Sequence, residues 1–182
     1  MFKDWKEDNF DTIEKMIRHD WERTLIPRLV PDEEQQRRIK NEIVANMDML
    51  KEIYVYLQSH SVQYPFVDAT VVKSFLIDKI LVNNRNMLTN ASLYNITLET
   101  CVQGERARGE TNQRHKKLQR YQLLEILVRM AMFLYSNNTL RSGTHNTSPL
   151  KKGGSVELGD YETLTASQAW YIFLEYTIKP FF

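Results

Sequence analysis

The stretch RYQLLEILVRMAMFLY, residues 120–135, is apolar on nearly every side when it is read as a helix. Its polar members Gln122, Glu125 and Arg129 lie at positions i, i+3 and i+7, so they form one narrow stripe. A helix with so little polar surface is covered by other parts of the chain around most of its circumference. The sequence therefore predicts a helix here that is buried on most of its surface.

The composition favours a helical protein. The chain has 182 residues, with only 6 Gly and 5 Pro, and this length supports one well-formed core or two small ones. A net charge of +1 is far from the basic balance of proteins that coat nucleic acid by bulk charge. A single cysteine, Cys101, excludes an intrachain disulfide and favours a reducing compartment. We expect an all-α protein.

Two helices are predicted before residue 60. Apolar residues recur at helical spacing through residues 9–24, and Pro27 and Pro31 then interrupt the chain. Acidic residues follow Pro31, where the dipole of a helix favours them. From there the apolar spacing predicts one long helix that ends at about Gln58.

Extended or polar segments separate the later helices. Pro65 interrupts the chain, and Val67 is expected in a very short extended piece before Asp68 caps a further helix. Another helix is expected to begin at Thr89 or Asn90 and to end in a polar loop over residues 103–119. Residues 136–160 are rich in Ser, Thr, Asn and Gly and predict a linker. A last helix is predicted from about Thr165 to Pro180.

This order of elements is the plan of a pair of EF-hands, in which helix, short loop and helix occur twice. In such a pair, an apolar residue in the middle of each loop joins a two-strand bridge, and Val67 and Leu118 would occupy those places. The expected segments are residues 1–31, an N-terminal helical segment; residues 32–135, an EF-hand-like pair; residues 136–160, a flexible linker; and residues 161–182, an apolar C-terminal helix.

Three stretches resemble a family of EF-hand-like proteins of the calmodulin superfamily that are associated with cilia and flagella. The stretch LQRYQLLEILVRMAMFLY (118–135) resembles the family pattern Leu-x-Arg-Tyr/Phe-Glu/Gln-Phe-Leu-Glu-x-Leu-Val-Arg-x-Ala. The stretch LKEIYVYLQSHSVQYPFVD (50–68) resembles its helix followed by Trp/Tyr-Pro-Phe-Ile/Val. FDTIEKMIRHDWERTLIPRLV (10–30) resembles its opening segment with an aspartate-tryptophan pair, here Asp20 and Trp21. The resemblance covers about residues 10–135 and implies a place in a ciliary or flagellar axoneme.

Neither loop has the ligands of an active calcium site. Such a loop supplies oxygens at its first, third, fifth and twelfth positions and turns at a glycine in the sixth. Counted from Val67 and Leu118, the four ligand positions hold His60, Val62, Tyr64 and Val71 in the first loop and Thr111, Gln113, His115 and Gln122 in the second. Pro65 and Lys116 occupy the turn positions. We expect no metal and no cofactor, although an insertion could bring Glu105 and Glu110 into a different register.

The loop GERARGETNQRHKKLQR, residues 104–120, has six basic and two acidic residues, a net charge of +4. It could contact an acidic surface such as tubulin, another acidic protein partner or nucleic acid, or it could be a solvated insertion. Residues 104–120 contain no Phe, Trp or Tyr before Tyr121, so the loop has no aromatic platform on which single-stranded bases could stack. Nucleic acid is therefore the weakest of these options. The candidate partner-binding residues are Arg106, Arg108, Arg114, Lys116, Lys117 and Arg120.

The C-terminal stretch WYIFLEYTIKPFF, residues 170–182, is very apolar. Exposed apolar patches generally mark interfaces, and the alternative is a helix that belongs to the core of the chain itself. The candidate partner-binding residues here are Trp170, Tyr171, Phe173, Phe181 and Phe182.

No catalytic constellation is visible, so we expect a protein that is not an enzyme. The four histidines are far apart in the chain, and no serine lies in a Gly-x-Ser-x-Gly motif. No apolar run reaches membrane-spanning length, and residues 1–10 lack the apolar core of a secretory signal. The favoured hypothesis is a cytoplasmic structural or adaptor protein of a ciliary or flagellar, microtubule-associated assembly. The alternatives are a calcium-responsive EF-hand regulator and an accessory subunit of a larger enzyme complex.

Overall fold

The computed structural model describes residues 10–62, 64–80, 89–108, 117–136 and 164–181, and these ranges are almost entirely helical. The helices are α1 (Phe10–Arg23), α2 (Ile26–Leu29), α3 (Glu33–Ala45), α4 (Met47–Ser59), α5 (Ala69–Phe75), α6 (Asn90–Arg108), α7 (Arg120–Ala131) and α8 (Ala166–Phe173). Wider π-helical turns continue α5, α7 and α8 over Leu76–Ile80, Met132–Ser136 and Leu174–Ile178, and a 3₁₀ turn follows at Lys179–Phe181. The strands are β1 (Val67–Asp68) and β2 (Lys117–Leu118). The all-α prediction is confirmed.

Local sequence signals explain several of the helix starts. Asp32 is the N-cap of α3, and its side chain accepts a hydrogen bond of 2.7 Å from the backbone N–H of Gln35. Thr165 caps α8 in the same way, through the N–H of Gln168. Pro27 lies in the first turn of α2, where the missing N–H would have had no helical partner.

The long helix that was predicted to reach Gln58 is divided at Asn46, so this prediction is wrong in part. The side-chain amide of Asn46 donates 2.8 Å to the carbonyl of Glu42, which also accepts the backbone N–H of Asn46. Asparagine competes in this way for the backbone bonds of a helix, and the chain turns here between α3 and α4. The polar loop expected from residue 103 also begins later, because α6 continues to Arg108.

The two strands form an antiparallel bridge in which Val67 faces Leu118 and Asp68 faces Lys117. This is the pairing that the sequence predicted for the two mid-loop apolar residues, and it is confirmed. Val67 and Leu118 are both fully buried, so the bridge is part of the apolar core and not a surface feature.

Helix α7 is the centre of the described structure, as its apolar sequence predicted. It contacts α1, α6 and α8, and ten of its twelve residues are buried. Helix α8 packs against both α3 and α7, and its first N–H, that of Ala166, donates 3.0 Å to the side-chain carbonyl of Gln35. One apolar cluster thus extends from Ile17 in α1 to Ile178 after α8. Among the described helices, none is long and apolar enough to cross a membrane.

Candidate functional site

The candidate site is the pair of bridged loops together with the helices beside them. Helix α4 ends at Ser59, so the twelve-position loop begins directly after it, at His60. Helix α5 begins at Ala69, which is the tenth position of that loop. The second loop lies between α6 and α7 and joins the first through the Val67–Leu118 bridge. Two helix–loop–helix halves are therefore connected at the middle of their loops.

Protein groups close the first loop. The side-chain carboxylate of Asp68 accepts 3.1 Å from the N–H of Val62, and the N–H of Asp68 donates 2.5 Å to the hydroxyl of Ser61. Asp68 occupies the N-cap position of α5 as predicted, but its side chain bonds the start of the loop and not the helix. These two bonds tie the beginning of the loop to its end.

Helix α4 holds the turn of the same loop. The amide of Gln58 donates to the carbonyl of Pro65, and the hydroxyl of Tyr54 lies 3.5 Å from that oxygen and 3.4 Å from the carbonyl of Leu118. Burial raises the pKa of Tyr54, and the nearby Arg120 opposes this effect. Tyr54 thus reaches both the turn of the first loop and strand β2 from one helix.

The four ligand positions of the first loop do not converge. His60 is exposed and bonds the carbonyl of its own helix at Tyr56, while the side chains of Val62 and Tyr64 are among the most exposed apolar groups. In the ranges that the structure describes, no group of three His, Cys, Asp or Glu side chains could hold a metal ion. Of the second loop, Gln122 is described: it is buried and accepts 2.9 Å from the N–H of Gln119. Thr111, Gln113, His115 and Lys116 lie outside the described residues.

An ion pair fastens α1 to the start of α7. The Arg120 guanidinium lies 2.5 Å from the carboxylate of Asp20, whose side chain is only 4% exposed. The same carboxylate lies 3.3 Å from the ring of His19, and Arg120 also points at the sulfur of Met16. Arg120 was predicted to bind a partner, but the structure places it in a contact within the chain.

Glu125, on the polar stripe of α7, makes a second contact with the N-terminal segment. One carboxylate oxygen accepts 2.9 Å from the N–H of Leu25, and the other accepts two bonds of 3.1 Å from Arg129. Arg129 extends further to Glu99 of α6, at 3.2 Å. Gln122 and Glu125 of the polar stripe are therefore buried with hydrogen-bond partners, at Gln119 for the first and at Leu25 and Arg129 for the second.

Of the other predicted basic residues, Lys117 is the one whose side chain the structure describes. The Lys117 ammonium lies 5.5 Å from the centroid of the Phe66 ring, at a distance that allows a cation–π contact. Arg106 and Arg108 lie at the end of α6, but their side chains are outside what the structure describes. Arg114 and Lys116 are also outside the described residues.

The C-terminal candidates divide by burial. Trp170 and Phe173 are fully buried in the core, with ring centroids 6.2 Å apart, so neither is an exposed partner contact in this packing. Tyr171 is 48% exposed on the opposite side of α8. The side chain of Phe181 and the whole of Phe182 lie outside the described part. Helix α8 therefore belongs to the core of the chain itself, which was the alternative to an exposed partner-binding helix.

Two surface grooves adjoin these helices. The first, which we name the α4–α5 groove, has a volume of about 330 Å³ and lies beside the first loop. The second has a volume of about 430 Å³ and lies between α3 and α8. The residues that line the α4–α5 groove are Tyr56, Leu57, His60, Thr70, Val71, Ser74, Phe75 and Asp78. No sequence motif indicates this groove, because it is formed only by the placement of α4 and α5 on either side of a short loop.

Comparisons with family models, with curated proteins and with solved structures found no match.

Proposed function

We propose that this chain is a non-catalytic structural or adaptor protein of a ciliary or flagellar assembly, built on an EF-hand-like pair that does not bind calcium. The observation that carries the proposal is the Val67–Leu118 bridge, which joins two helix–loop–helix halves at the residues that the EF-hand pattern assigns to it. The place in a cilium or flagellum rests on the sequence resemblance of residues 10–135.

The closed first loop supports independence from calcium. In a calcium-sensing hand the ion draws loop oxygens together, whereas here the loop is tied by Asp68, Ser61 and Gln58. A hard divalent cation prefers several carboxylates, and the ligand positions of this loop offer none. The module then holds one arrangement of its helices whether or not calcium is present.

A fixed helical module of this kind acts by presenting surfaces. An amphipathic partner helix gains affinity when its apolar face enters a groove between helices. The buried apolar area supplies the driving force, at about 25 cal/mol per Å² before the entropy of ordering is subtracted. The buried Asp20–Arg120 ion pair and the hydrogen bond from Leu25 to Glu125 support the same interpretation, since they hold the N-terminal segment against α7.

Calcium titration of the purified chain tests independence from the ion. Isothermal calorimetry with millimolar calcium should give no stoichiometric heat, and the thermal unfolding midpoint should be equal in calcium and in a calcium chelator. A saturable heat with a defined stoichiometry would overturn this part of the proposal and favour a calcium-responsive regulator.

Fractionation of a flagellated or ciliated cell tests the location. The tagged chain should remain with detergent-extracted axonemes and leave them only in high salt or denaturant. Full recovery of the chain in the detergent-soluble fraction would contradict the assembly role, whatever the result of the calcium titration.

A further inference from the structure

Helix α6 carries apolar residues on two faces. One face, which includes Leu93 and Ile96, belongs to the core of the chain. On the other face Tyr94 is 59% exposed and Leu98 is 36% exposed. We name this second face the outer seam of α6, and its apolar residues follow one another at spacings of three and four: Ala91, Tyr94, Leu98 and Val102. This is the spacing of a helix that packs along a second helix.

The outer seam is close to neutral in charge. Asn90 and Asn95 lie beside it and are exposed and uncharged. Glu99 also lies beside it, but its carboxylate is 3.2 Å from the guanidinium of Arg129, so its charge is paired within the chain. A basic, acidic or phosphate-bearing partner would gain little from electrostatic attraction to such a surface. The seam therefore fits a partner surface that is apolar and uncharged.

A second copy of the chain supplies such a surface. In an antiparallel pair of α6 helices centred at the level of residue 96, Tyr94 of one copy lies across from Leu98 of the other, and two-fold symmetry repeats this contact. The small side chain of Ala91 then lies close to Val102 of the other copy, so a small residue meets a larger one at each end. A net charge of +1 gives little long-range repulsion between the copies.

We propose that the chain self-associates through the outer seam of α6, as an antiparallel two-fold pair. The seam covers about three helical turns, which is short for the roughly 800 Å² per partner of a standard interface. The association is therefore weak and depends on the concentration of the chain. It goes beyond the proposed function and does not require it, because it needs only α6 and a second copy.

Sedimentation equilibrium of the full chain measures this association, at concentrations from about 5 to about 500 μM, where weak complexes dissociate. The weight-average mass should rise with concentration from the 21.6 kDa of one chain towards twice that value. Tyr94→Lys should raise the dissociation constant by about tenfold or more, the effect of changing a central aromatic residue of an interface. Tyr176→Lys is the matched control, since Tyr176 is 74% exposed outside the seam, and it should leave the dissociation constant unchanged.

A mixture of two variants tests the antiparallel arrangement. Tyr94→Lys and Leu98→Glu should each associate poorly alone, because each places an unpaired charge in an apolar seam. Mixed in equal amounts, they should associate more tightly than either alone, because the introduced lysine of one chain then faces the introduced glutamate of the other. Urea denaturation of each variant checks that it is folded. If Tyr94→Lys does not fold, Tyr94→Gln, which adds no charge, takes its place.

Three results would overturn the inference: a mass that stays at that of one chain at every concentration, equal dissociation constants for the wild type and Tyr94→Lys, and no recovery of association in the mixture. A chain that is monomeric but still remains with axonemes would leave the proposed function standing. A chain that self-associates through the seam but is fully recovered in the detergent-soluble fraction would instead remove the proposed function alone.

Discussion

Asp20 and Arg120, which are 100 positions apart in the chain, form a charge-assisted hydrogen bond of 2.5 Å in which the carboxylate is almost completely buried. Each residue comes from one of the stretches that carry the resemblance to EF-hand-like ciliary proteins, the opening segment and the RYQLLEILVRMAMFLY helix. The ion pair therefore joins these two distant stretches in the folded chain. A buried carboxylate requires a partner, and α7 supplies it from its first residue.

The first prediction concerns the loss of one member of this pair. Asp20→Ala leaves the Arg120 guanidinium, which is 23% exposed, without its carboxylate partner, and should lower the free energy of unfolding by about 2–4 kcal/mol. Urea denaturation followed by circular dichroism measures this change. A loss below about 0.5 kcal/mol, the usual effect of a surface substitution, would show that the ion pair does not fasten α1.

The same helix offers a matched control on its exposed face. Glu14 and Arg18 form an ion pair whose side chains are 55% and 68% exposed. Breaking it with Glu14→Ala should cost less than about 1 kcal/mol, because solvent already screens both charges. A double-mutant cycle with Arg120→Met then isolates the coupling energy between Asp20 and Arg120.

The second prediction compares two changes at Glu125. Glu125→Gln keeps an acceptor for the N–H of Leu25 but removes the charge that faces Arg129, whereas Glu125→Ala removes both functions. Glu125→Ala should therefore destabilise the chain more than Glu125→Gln, by about 1 kcal/mol or more, the penalty of an unpaired backbone donor. Equal unfolding midpoints in urea for the two variants would contradict the role assigned to the Leu25 bond.

The third prediction distinguishes a core helix from a partner-binding helix at α8. Trp170 is fully buried, so Trp170→Ala should cost about 3–5 kcal/mol of unfolding free energy in the isolated chain. Tyr176, 74% exposed in the following turn, provides the control, and Tyr176→Ala should change the stability by less than about 0.5 kcal/mol. If Trp170→Ala left the isolated chain equally stable, Trp170 would be an interface residue after all.

Periodicity and turn chemistry were enough to predict most of the framework. The bridge partners Val67 and Leu118 were predicted from the plan of an EF-hand pair, in which the apolar residue in the middle of each loop joins the bridge. The start of α3 was predicted from the acidic residues after Pro31, and that of α8 from the apolar stretch after Thr165; the structure adds Asp32 and Thr165 as their caps. These helix-start signals are local, so they are readable from neighbouring residues alone.

What the sequence could not give was the set of contacts between distant elements. No local pattern indicates that the carboxylate of Glu125 accepts the N–H of Leu25, because the two residues are 100 positions apart and meet only in the folded chain. The burial of Trp170 likewise depends on the packing of α8 against α3 and α7. The division at Asn46 was missed for a different reason: the apolar spacing continues across it, and only the side-chain bond to Glu42 reveals the turn.

The fourth prediction is a pH dependence at Tyr54. Burial raises its pKa above the usual 10.0, so the neutral hydroxyl stabilises the folded state at all pH values below 10. That stability is lost as the pH rises through the higher pKa of the folded state. Tyr54→Phe removes the donor to Leu118 and Pro65, and should lower the free energy of unfolding by about 0.5–1 kcal/mol at neutral pH.

The difference between the wild type and Tyr54→Phe should therefore shrink as the pH rises above about 10. Urea denaturation at several alkaline pH values measures it, and absorbance at the phenolate band reports the ionisation directly. A difference that stays constant with pH would mean that the Tyr54 hydroxyl does not titrate differently in the folded chain.

The last prediction concerns the basic loop, residues 104–120. The structure excludes one of its basic residues, Arg120, from charge reversal. Charge reversal at Arg114, Lys116 and Lys117 should weaken co-sedimentation with microtubules, or with the host complex, most strongly at low salt. Arg120 must be left intact, because its reversal would place a second carboxylate beside Asp20 and unfold the contact between α1 and α7. Simultaneous reversal of Lys15, Arg23 and Arg28, three exposed basic residues outside the loop, makes the same change in net charge and is the control. If a folded loop variant co-sedimented as well as the wild type, this loop would not be the surface that binds an acidic partner.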